Sequence, residues 1–481
     1  MKSKRLVVTG GTGFIGSSLI RRFRRDGWEV VAWVRDPKKA RQQLGRGVHC
    51  VPASDEALRK AVDGAAGVVN LAGERILPAR WTAKKRQRIQ RSRVVTTERL
   101  IAAMTASEQR PEFLITGSAV GYYGSAPSGT CTEDTAAGSD FLARVCVAWE
   151  QAANAAEALG VRVVPIRMGL VLGREEGALA TMAAPFRLGL GGVLGSGRQP
   201  VAWVHIDDLL EVVRRISEDS TLSGPVNLAV GSVSQADVVR AIGEALGMPT
   251  LLPAPALALR LVLGSAASAL LEGQTVEPAR LRACGYQFQF PEIGLAMQDL
   301  LGVESVSFST VQEAPSEPYL SKRRPRRLLE QRLHLASPPE EVIPFFETPE
   351  NLSVLTPPTL GFEILTPLPI DMKAGALIDY VVRLGLVPMA WRTCIEQWEP
   401  GSRFVDSQLR GPYACWWHEH RFESDGKGGT WISDRVWFRA AFGPLGRLAE
   451  WFFVERMLAR IFSYRLAVIR QRFGLVLPEE P

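Results

Sequence analysis

A doubly wound parallel α/β sheet followed by an α+β domain is the architecture this sequence predicts, on three observations. An apolar strand, Leu6 to Thr9, runs straight into three glycines at three-residue spacing, Gly10, Gly13 and Gly16, and then into a helix. Buried-strand and helical patterns alternate from there to about residue 300, the texture of a parallel sheet with helices on both faces. Beyond that point strand-like stretches follow one another and a long amphipathic helix closes the chain, which reads as antiparallel sheet plus helix.

The opening strand and its glycines predict a dinucleotide site. A diphosphate can sit at a helix N-terminus only where no Cβ blocks it, and there the orphan backbone N–H groups and the helix dipole favour negative charge. Gly10 permits the tight turn, Gly13 lets backbone approach the diphosphate, and Gly16 lets the helix pack close to the strand. Further buried strands are expected at Val30 to Val34, Val68 to Leu71, Phe113 to Thr116 and Val163 to Ile166. The strand from Val30 ends on Arg35, with Lys38 and Lys39 close behind. A carboxylate there accepts hydrogen bonds from ribose hydroxyls, whereas a guanidinium grips a 2′-phosphate, so NADP is favoured over NAD. Asp36 keeps NAD in view, because it lies about 20 residues past Gly16, where an NAD-type acid falls. The Asp36-Pro37 pair also reads as the turn that opens the next helix.

At 481 residues and 46% hydrophobic composition, the chain can bury large cores and is expected to hold two or three domains. No apolar run reaches the roughly 18 to 20 residues of a spanning helix, and the N-terminus enters a strand without a signal-peptide pattern, so no membrane span is expected. Cys50, Cys131, Cys146, Cys284, Cys394 and Cys415 are scattered without a Cys-x-x-Cys pair, which predicts reduced thiols and a cytoplasmic setting. The net charge of +7 comes from dispersed Lys and Arg and is a weak argument for an acidic partner; no nucleic-acid partner is expected. Residues 303–327, rich in Ser, Glu and Pro and carrying the cluster Lys322 to Arg327, read as a solvated linker.

Gly10-Gly-Thr-Gly-Phe-Ile-Gly16, Asn70-Leu-Ala-Gly73, Ser118-Ala-Val-Gly-Tyr-Tyr-Gly124 and Trp203-Val-His-Ile-Asp-Asp208 together resemble the extended, epimerase-type short-chain dehydrogenase/reductases. Arg80-Trp81, Ser92-Arg93, Phe141 to Glu150 and Leu188 to Gly192 narrow the likeness to the atypical NAD(P)-dependent epimerase-like subfamily. Its Rossmann-type domain would occupy residues 1–250. Its short C-terminal extension would occupy 251–302, where Gly273-Gln274, Pro278 to Arg280 and Gly285-Tyr286 are similar to that group. The resemblance implies a nucleotide held by Gly10, Thr12, Gly13, Phe14, Ile15, Gly16, Arg35, Leu71, Ala72 and Gly73. Arg167 joins this set as a cleft candidate, since it follows a buried strand at the end where open parallel sheets place their ligands.

Hydride-transferring members of that superfamily use a Tyr-x-x-x-Lys pair, in which nearby positive charge lowers the tyrosine pKa so that the phenol exchanges a proton with substrate. Anchored on Glu150, the tyrosine position falls on Leu142 and the lysine position on Cys146, so the pair is absent. Ser118 stands where a serine would hydrogen-bond a substrate carbonyl, and Tyr122 or Tyr123 can supply a phenol; these three are the candidate catalytic residues. The plainer reading has Ser118 satisfying backbone at a strand end and the tyrosines packing by the cofactor. His205, Asp207 and Asp208 read as a helix start rather than a metal set. Arg93, in a basic helical stretch, is the cation expected to turn into the cleft toward an anionic substrate. Cys146 reads as an inert core thiol.

In the last part, Leu328 to Leu335 reads as a strand and Pro338 to Phe346 as a short helix. Strands follow around Phe362 to Leu365, Ala376 to Leu384, Trp391 to Trp398, Arg403 to Leu409, Cys415 to Phe422 and Thr430 to Phe438. Between Leu445 and Arg472 apolar residues at helical spacing, from Leu448 and Trp451 to Ile461 and Phe462, predict a helix laid on a curved antiparallel sheet. This order, with Gly411 to Phe422, Thr430, Asp434-Arg435 and Phe442 to Gly446, resembles the START-like helix-grip superfamily over residues 328–475. The polyketide cyclase and coenzyme-Q-binding-like members are the most similar. The resemblance implies an apolar cavity for a hydrophobic ligand, lined by Trp391, Trp398, Tyr413, Trp416 and Trp437. His418 and His420 share a strand face, and without an identifiable third ligand they are read as partners of Glu419, Asp434 or Glu396 rather than of a metal.

Three functions fit this sequence. The first is an NADP-dependent oxidoreductase or epimerase-like enzyme whose small-molecule substrate the residues do not identify, an apolar one included, and which the C-terminal domain could capture or deliver. The second is an NADPH-binding sensor or scaffold without turnover. The third is a carrier or cyclase for a hydrophobic molecule, acting through the C-terminal domain.

Overall fold

A computed structural model describes residues 4–474 apart from 46, 78–79, 126–128, 175–176, 187–188, 251–252, 302–305, 358–359, 385–386, 442, 444–445 and 447–449. The chain divides into two units, Met1–Leu301 and Gly302–Pro481.

In the first unit, β1 (Arg5–Thr9), β2 (Glu29–Val34), β3 (His49–Pro52), β4 (Gly67–Asn70), β5 (Phe113–Ala119), β7 (Arg162–Met168) and β10 (Val226–Leu228) form one parallel sheet. Its order is β10-β7-β5-β4-β1-β2-β3. The chain therefore winds outward one way from β1 and the other way from β4, which puts the topological switch point between their carboxyl ends. Short strands complete the unit: β6 (Thr130–Cys131) pairs with β12 (Thr275–Val276), and β8 (Leu170–Gly173), β9 (Pro200–His205) and β11 (Gly231–Ser234) make a small sheet.

Alternation along the strands feeds two cores. Val8, Val30 and Ala32 face Leu19, Ile20 and Phe23 of α1 (Phe14–Arg25) together with Leu209 and Val213 of the helix Ile206–Glu218. Val7, Val31, Val68 and Leu114 face the opposite way, toward Leu58 of α3 (Asp55–Val62) and Leu100 and Met104 of α4 (Ala83–Thr105). Each such Val, Leu or Phe, fully removed from water, contributes about 1.5–3 kcal/mol. Between β2 and β3 runs α2 (Pro37–Leu44). Asp36 opens it, accepting from the Lys39 N–H at 3.1 Å, with Pro37 at the first helical position, so the Asp-Pro pair is the helix start that its turn chemistry indicated.

The second unit is built on an eight-stranded antiparallel sheet. Its strands are β13 (Ser307–Thr310), β14 (Arg327–Leu335), β15 (Glu363–Ile364), β16 (Leu377–Leu384), β17 (Val387–Glu399), β18 (Arg403–Arg410), β19 (Tyr413–Ser424) and β20 (Thr430–Ala440). They lie in the order β13-β14-β20-β19-β18-β17-β16-β15. The C-terminal helix Glu455–Phe473 packs on this sheet, Leu458 and Phe462 against Tyr413 and Phe438, and Ile469 and Phe473 against Leu333 and Ile432. Of the stretch expected to start this helix, Leu448 and part of the Phe442 to Gly446 motif lie outside the described residues, as do the side chains of Trp451 and Phe452.

The expected linker is corrected by the structure. Ser307–Thr310 is a sheet strand, and Phe308 packs on the core that holds Phe438. The helix Pro318–Arg323 buries Leu320, and the Tyr319 hydroxyl donates to the Gln408 carbonyl at 2.8 Å. The basic cluster is engaged at its end, where Arg326 pairs with Glu450 at 2.8 Å and Arg327 with Glu455 at 2.6 Å, while Lys322 and Arg324 are exposed as expected. Ser and Pro dominate the composition here, and the few apolar residues that decide the packing, Phe308 and Leu320, are too sparse to register as periodicity. Among the described residues no helix is long and apolar enough to cross a membrane.

Candidate functional site

The first helix begins in a form suited to an anion. Gly13 is its N-cap and supplies no side-chain cap, its first turn carries no acidic residue, and the Ser17 N–H is bonded to the Gly13 carbonyl at 2.9 Å. The preceding N–H groups and the positive end of the helix dipole are thus left for a ligand. Two glycines are sterically required around this cradle. Gly10 has φ +70°, and a Cβ on it would lie 2.7 Å from the Leu71 carbonyl carbon; one on Gly16 would collide with the Gly10 carbonyl oxygen. A Cβ on Gly13 would meet only that same oxygen, at 3.3 Å, so its outer side is open. Thr9 Oγ1 donates to Asn70 Oδ1 at 2.6 Å, tying β1 to β4 directly beneath the loop, and Gln43 of α2 donates to the Thr12 carbonyl at 2.9 Å. Arg35 is exposed at the end of β2, while the neighbouring Asp36 carboxylate is engaged as a helix cap.

Beside the loop lies a cavity of about 410 Å³ lined by Ile15, Leu71, Gly73, Arg93, Ser118, Leu142 and Cys146 among others. The residues in the tyrosine and lysine positions, Leu142 and Cys146, therefore do face the cleft, and neither is a proton donor suited to carbonyl chemistry. Burial and the Glu150 charge push the Cys146 thiol up to about 11, which leaves it inert. Arg93 reaches the cleft as expected. Its guanidinium lies against Gly73, donates to the Glu74 and Ile89 carbonyls at 3.2 and 3.0 Å, and sits 5.2 Å over the Trp149 ring. Burial pulls its pKa below the ordinary arginine value.

The other polar candidates meet at the cavity wall, where Ser118 faces the cavity, and behind it. In the sheet, Ser118 of β5 and Asn227 of β10 flank Arg167 of β7 in register, and Tyr122 and Tyr123 follow β5 in a short 3-10 turn, Val120–Tyr123. From α5 (Phe141–Asn154) Glu150 descends onto them. Ser118 donates to Glu150 at 2.6 Å; Arg167 pairs with both Glu150 oxygens at 3.0 and 2.9 Å and donates to the Tyr123 oxygen at 3.1 Å and the Glu133 carbonyl at 3.0 Å. Tyr123 in turn donates to Asn227 at 2.6 Å. The Arg167 guanidinium lies 3.5 Å over the Tyr122 ring.

This network bears on three of the expected site residues. Arg167, 3% exposed, is committed to a buried ion pair and takes no place in the cavity lining. Tyr122 covers that ion pair, and Tyr123 is locked into it. Burial raises the Tyr123 phenol to about 12 despite the opposing Arg167 hydrogen bond, the reverse of what a catalytic phenol needs. Glu133 and Asn227 escaped sequence reasoning because each is a single polar residue without a motif; Glu133 accepts from the Asn227 and Arg280 N–H groups at 3.0 and 3.3 Å. His205 and Asp208 are structural. His205 Nδ1 caps its helix by accepting from the Asp207 N–H at 3.1 Å, and Asp208 accepts from the Gln289 and Phe290 N–H groups at 2.7 and 3.1 Å.

The second unit encloses a cavity of about 290 Å³ between its sheet and the C-terminal helix. Trp391, Tyr413 and Trp416 line it as expected, whereas Trp398 packs with Phe404 and Trp437 sits in a separate cluster with Leu320 and Trp417. His418 and His420 also line it, each set between two carboxylates. His418 Nε2 lies 3.1 Å and His420 Nδ1 2.7 Å from Asp434 Oδ1; His418 Nδ1 lies 3.5 Å and His420 Nε2 3.3 Å from Asp406 Oδ2. Asp434 was expected as a partner and Asp406 was not. Glu419 is instead paired with Arg403, and Glu396 accepts from Ser407. Burial and the neighbouring His420 push His418 down to about 4. His420 is raised, because Asp434 and Asp406 more than reverse the effect of burial. Asp434 is held well below the usual carboxylate range by Arg465 and the two imidazoles, against its burial.

Comparison with known proteins places the first unit. The model of the NAD dependent epimerase/dehydratase family matches residues 6–229, and a domain of unknown function, DUF1731, matches 254–300. The chain is 36% identical over 303 residues to the Epimerase family protein SDR39U1 of Bos taurus, covering 62% of this chain and 99% of that protein. It is also 36% identical over 301 residues to the chloroplastic SDR39U1 homolog of Arabidopsis thaliana, covering 61% and 86%. Among solved structures, the human epimerase family protein SDR39U1 with NADPH superposes with a TM-score of 0.56 at 35% identity, over 62% of this chain and 99% of that one. A Corynebacterium glutamicum nucleoside-diphosphate sugar epimerase follows with a TM-score of 0.50 at 30% identity, over 63% and 59%.

Proposed function

Since the chain belongs to the NAD-dependent epimerase/dehydratase family through its first unit, we propose that this unit is an NADP(H)-dependent oxidoreductase whose cleft takes a small substrate at Arg93. The observation that carries the reading is the uncapped start of α1, where Gly10, Gly13 and Gly16 leave a cradle for a diphosphate. Arg35 would take the 2′-phosphate, since the one acid beside it, Asp36, is occupied as a helix cap. The NADPH held by the human relative is in keeping with this choice. Thr12, Phe14, Ile15 and the Leu71 to Gly73 segment would complete the nucleotide site.

When bound, the nicotinamide supplies a hydride acceptor or donor. The residues of this chain orient and exclude water: Leu142 and Cys146 give the cleft an apolar wall, and Arg93 presents a fixed cation to an anionic or electron-rich group. Ser118 serves as a positioning residue, because its hydrogen is already donated to Glu150. The same wall favours a second reading, NADP(H) binding without turnover, since neither Leu142 nor Cys146 can pass a proton to a carbonyl. Incubating the full-length protein with NADPH and a panel of carbonyl compounds and nucleotide sugars, while following nicotinamide absorbance, separates the two. Substrate-dependent NADPH loss that Arg93→Met abolishes supports the enzyme; nucleotide binding with no loss across the panel supports the sensor.

The second unit we read as a START-like helix-grip domain that binds a hydrophobic ligand. Its support is the cavity between sheet and helix, with Tyr380, Trp391, Trp416 and Phe462 in its lining. An environment-sensitive naphthyl probe should brighten on the wild-type protein and do so much less on Leu458→Trp, which fills the space.

A further inference from the structure

We infer that Asp406, His418 and His420 form a binding site for a divalent transition metal in the wall of the second unit's cavity, with Asp434 orienting the His418 imidazole. Among the described residues these three side chains are grouped so that one ligand atom of each lies within 4.8 Å of the others. Asp406 Oδ2 is 3.5 Å from His418 Nδ1 and 3.3 Å from His420 Nε2. Ligand atoms about 2.0–2.2 Å from a tetrahedral ion stand roughly 3.3–3.5 Å apart, so the spacing already present is that of a coordination edge.

The opposite nitrogens supply the second argument. His418 Nε2 and His420 Nδ1 both turn to one oxygen, Asp434 Oδ1, at 3.1 and 2.7 Å. A carboxylate that takes the N–H of an imidazole fixes its tautomer and leaves the other nitrogen's lone pair free for a metal, the usual support of a histidine ligand. Here one buried carboxylate, 1% exposed, holds His418 through Nε2 and leaves its Nδ1 on the Asp406 side, while His420 meets Asp406 through Nε2, a hydrogen bond that a metal ion between them would replace. The arrangement follows from strand register. Histidines two apart on β19 share a face, Asp406 of β18 is paired with His418, and Asp434 of β20 is paired with His420.

Charge and donor chemistry agree. Asp406 and Asp434 bring two negative charges against one positive charge from Arg465, so with both imidazoles neutral the cluster carries a net negative charge that attracts a cation. Two imidazoles and one carboxylate suit Zn²⁺, Fe²⁺ or Co²⁺ better than Mg²⁺ or Ca²⁺. Three protein ligands leave a coordination position open, as in sites that bind a substrate or water. All three line the apolar cavity, so the open position would take an oxygen donor carried on an apolar body. That last clause rests on the cavity reading proposed above; metal uptake does not, and is measured with no organic ligand present.

Full-length protein stripped with a chelator and titrated with Co²⁺ should take up about one equivalent with the visible absorption of a low-coordinate ion, and release it to Zn²⁺. Asp406→Asn and His418→Asn should lose that uptake while keeping the far-UV dichroism of the wild type. Asp434→Asn should retain the stoichiometry with affinity lowered about 10- to 100-fold, as expected of a group that orients ligands. Wild-type protein that takes up no Co²⁺ or Zn²⁺ overturns the inference in favour of a hydrogen-bonded cluster alone, and so does uptake unchanged in Asp406→Asn or, should His418→Asn fail to fold, in Asp406→Asn with His420→Gln.

Discussion

Ser118 donates its hydroxyl hydrogen to Glu150 at 2.6 Å, and the same carboxylate pairs with Arg167 through both oxygens. One buried acid on α5 thereby holds the carboxyl ends of β5 and β7 together beneath the cleft. Glu150→Gln leaves the Arg167 charge buried without its counter-ion, with side-chain exposures of only 3% and 9% for the pair. Breaking such a pair costs about 3–5 kcal/mol. Chemical denaturation followed through the unfolding of the first unit should show a loss of that order, larger than any surface ion pair in the chain produces.

Tyr123→Phe should destabilise the first unit by about 1–3 kcal/mol, because Asn227 Oδ1 loses a buried donor. Any NADPH-dependent turnover should survive within a few-fold. A loss of turnover at unchanged stability would restore Tyr123 as a catalytic phenol.

Cys146 should resist alkylation. A thiol raised to about 11 is protonated at every pH below that value, so at pH 8 only about a thousandth of it is the reactive thiolate. Burial slows the reagent further. Mass spectrometry after iodoacetamide treatment of the native protein should find Cys146 unmodified over a time that labels the denatured chain fully, with labelling rising only as the pH approaches 11.

Asp36→Ala should cost about 0.5–2 kcal/mol through loss of the α2 cap and leave NADPH affinity unchanged. A fall in affinity for either nucleotide would instead give the carboxylate a place at the ribose.

Features set by neighbouring residues were legible in the sequence. The glycine spacing placed the cradle, Asp36-Pro37 announced a helix start, and the i, i+2 spacing of His418 and His420 put both on one face. What the sequence hides is the choice of partner across strands. An arginine at a strand end reads alike whether it faces a cleft or an acid, and only the descent of Glu150 from α5 decides for Arg167. Asp406 shows no motif, and its value appears once register sets it beside His418. The stretch from Ser307 to Arg323 fails for another reason: a four-residue edge strand and a six-residue helix are too short for periodicity to rise above a Ser- and Pro-rich composition.

The measurement that bears most directly on the account is a fluorescence titration of the full-length protein with NADPH and, in parallel, NADH, comparing the wild type with Arg35→Glu. A charged hydrogen bond lost is about 1.5–3 kcal/mol, so the wild type should bind NADPH about ten- to a hundredfold tighter than NADH, and the variant should lose that preference by weakening NADPH alone. Absence of binding to either nucleotide, or an NADPH preference untouched in Arg35→Glu, would contradict it.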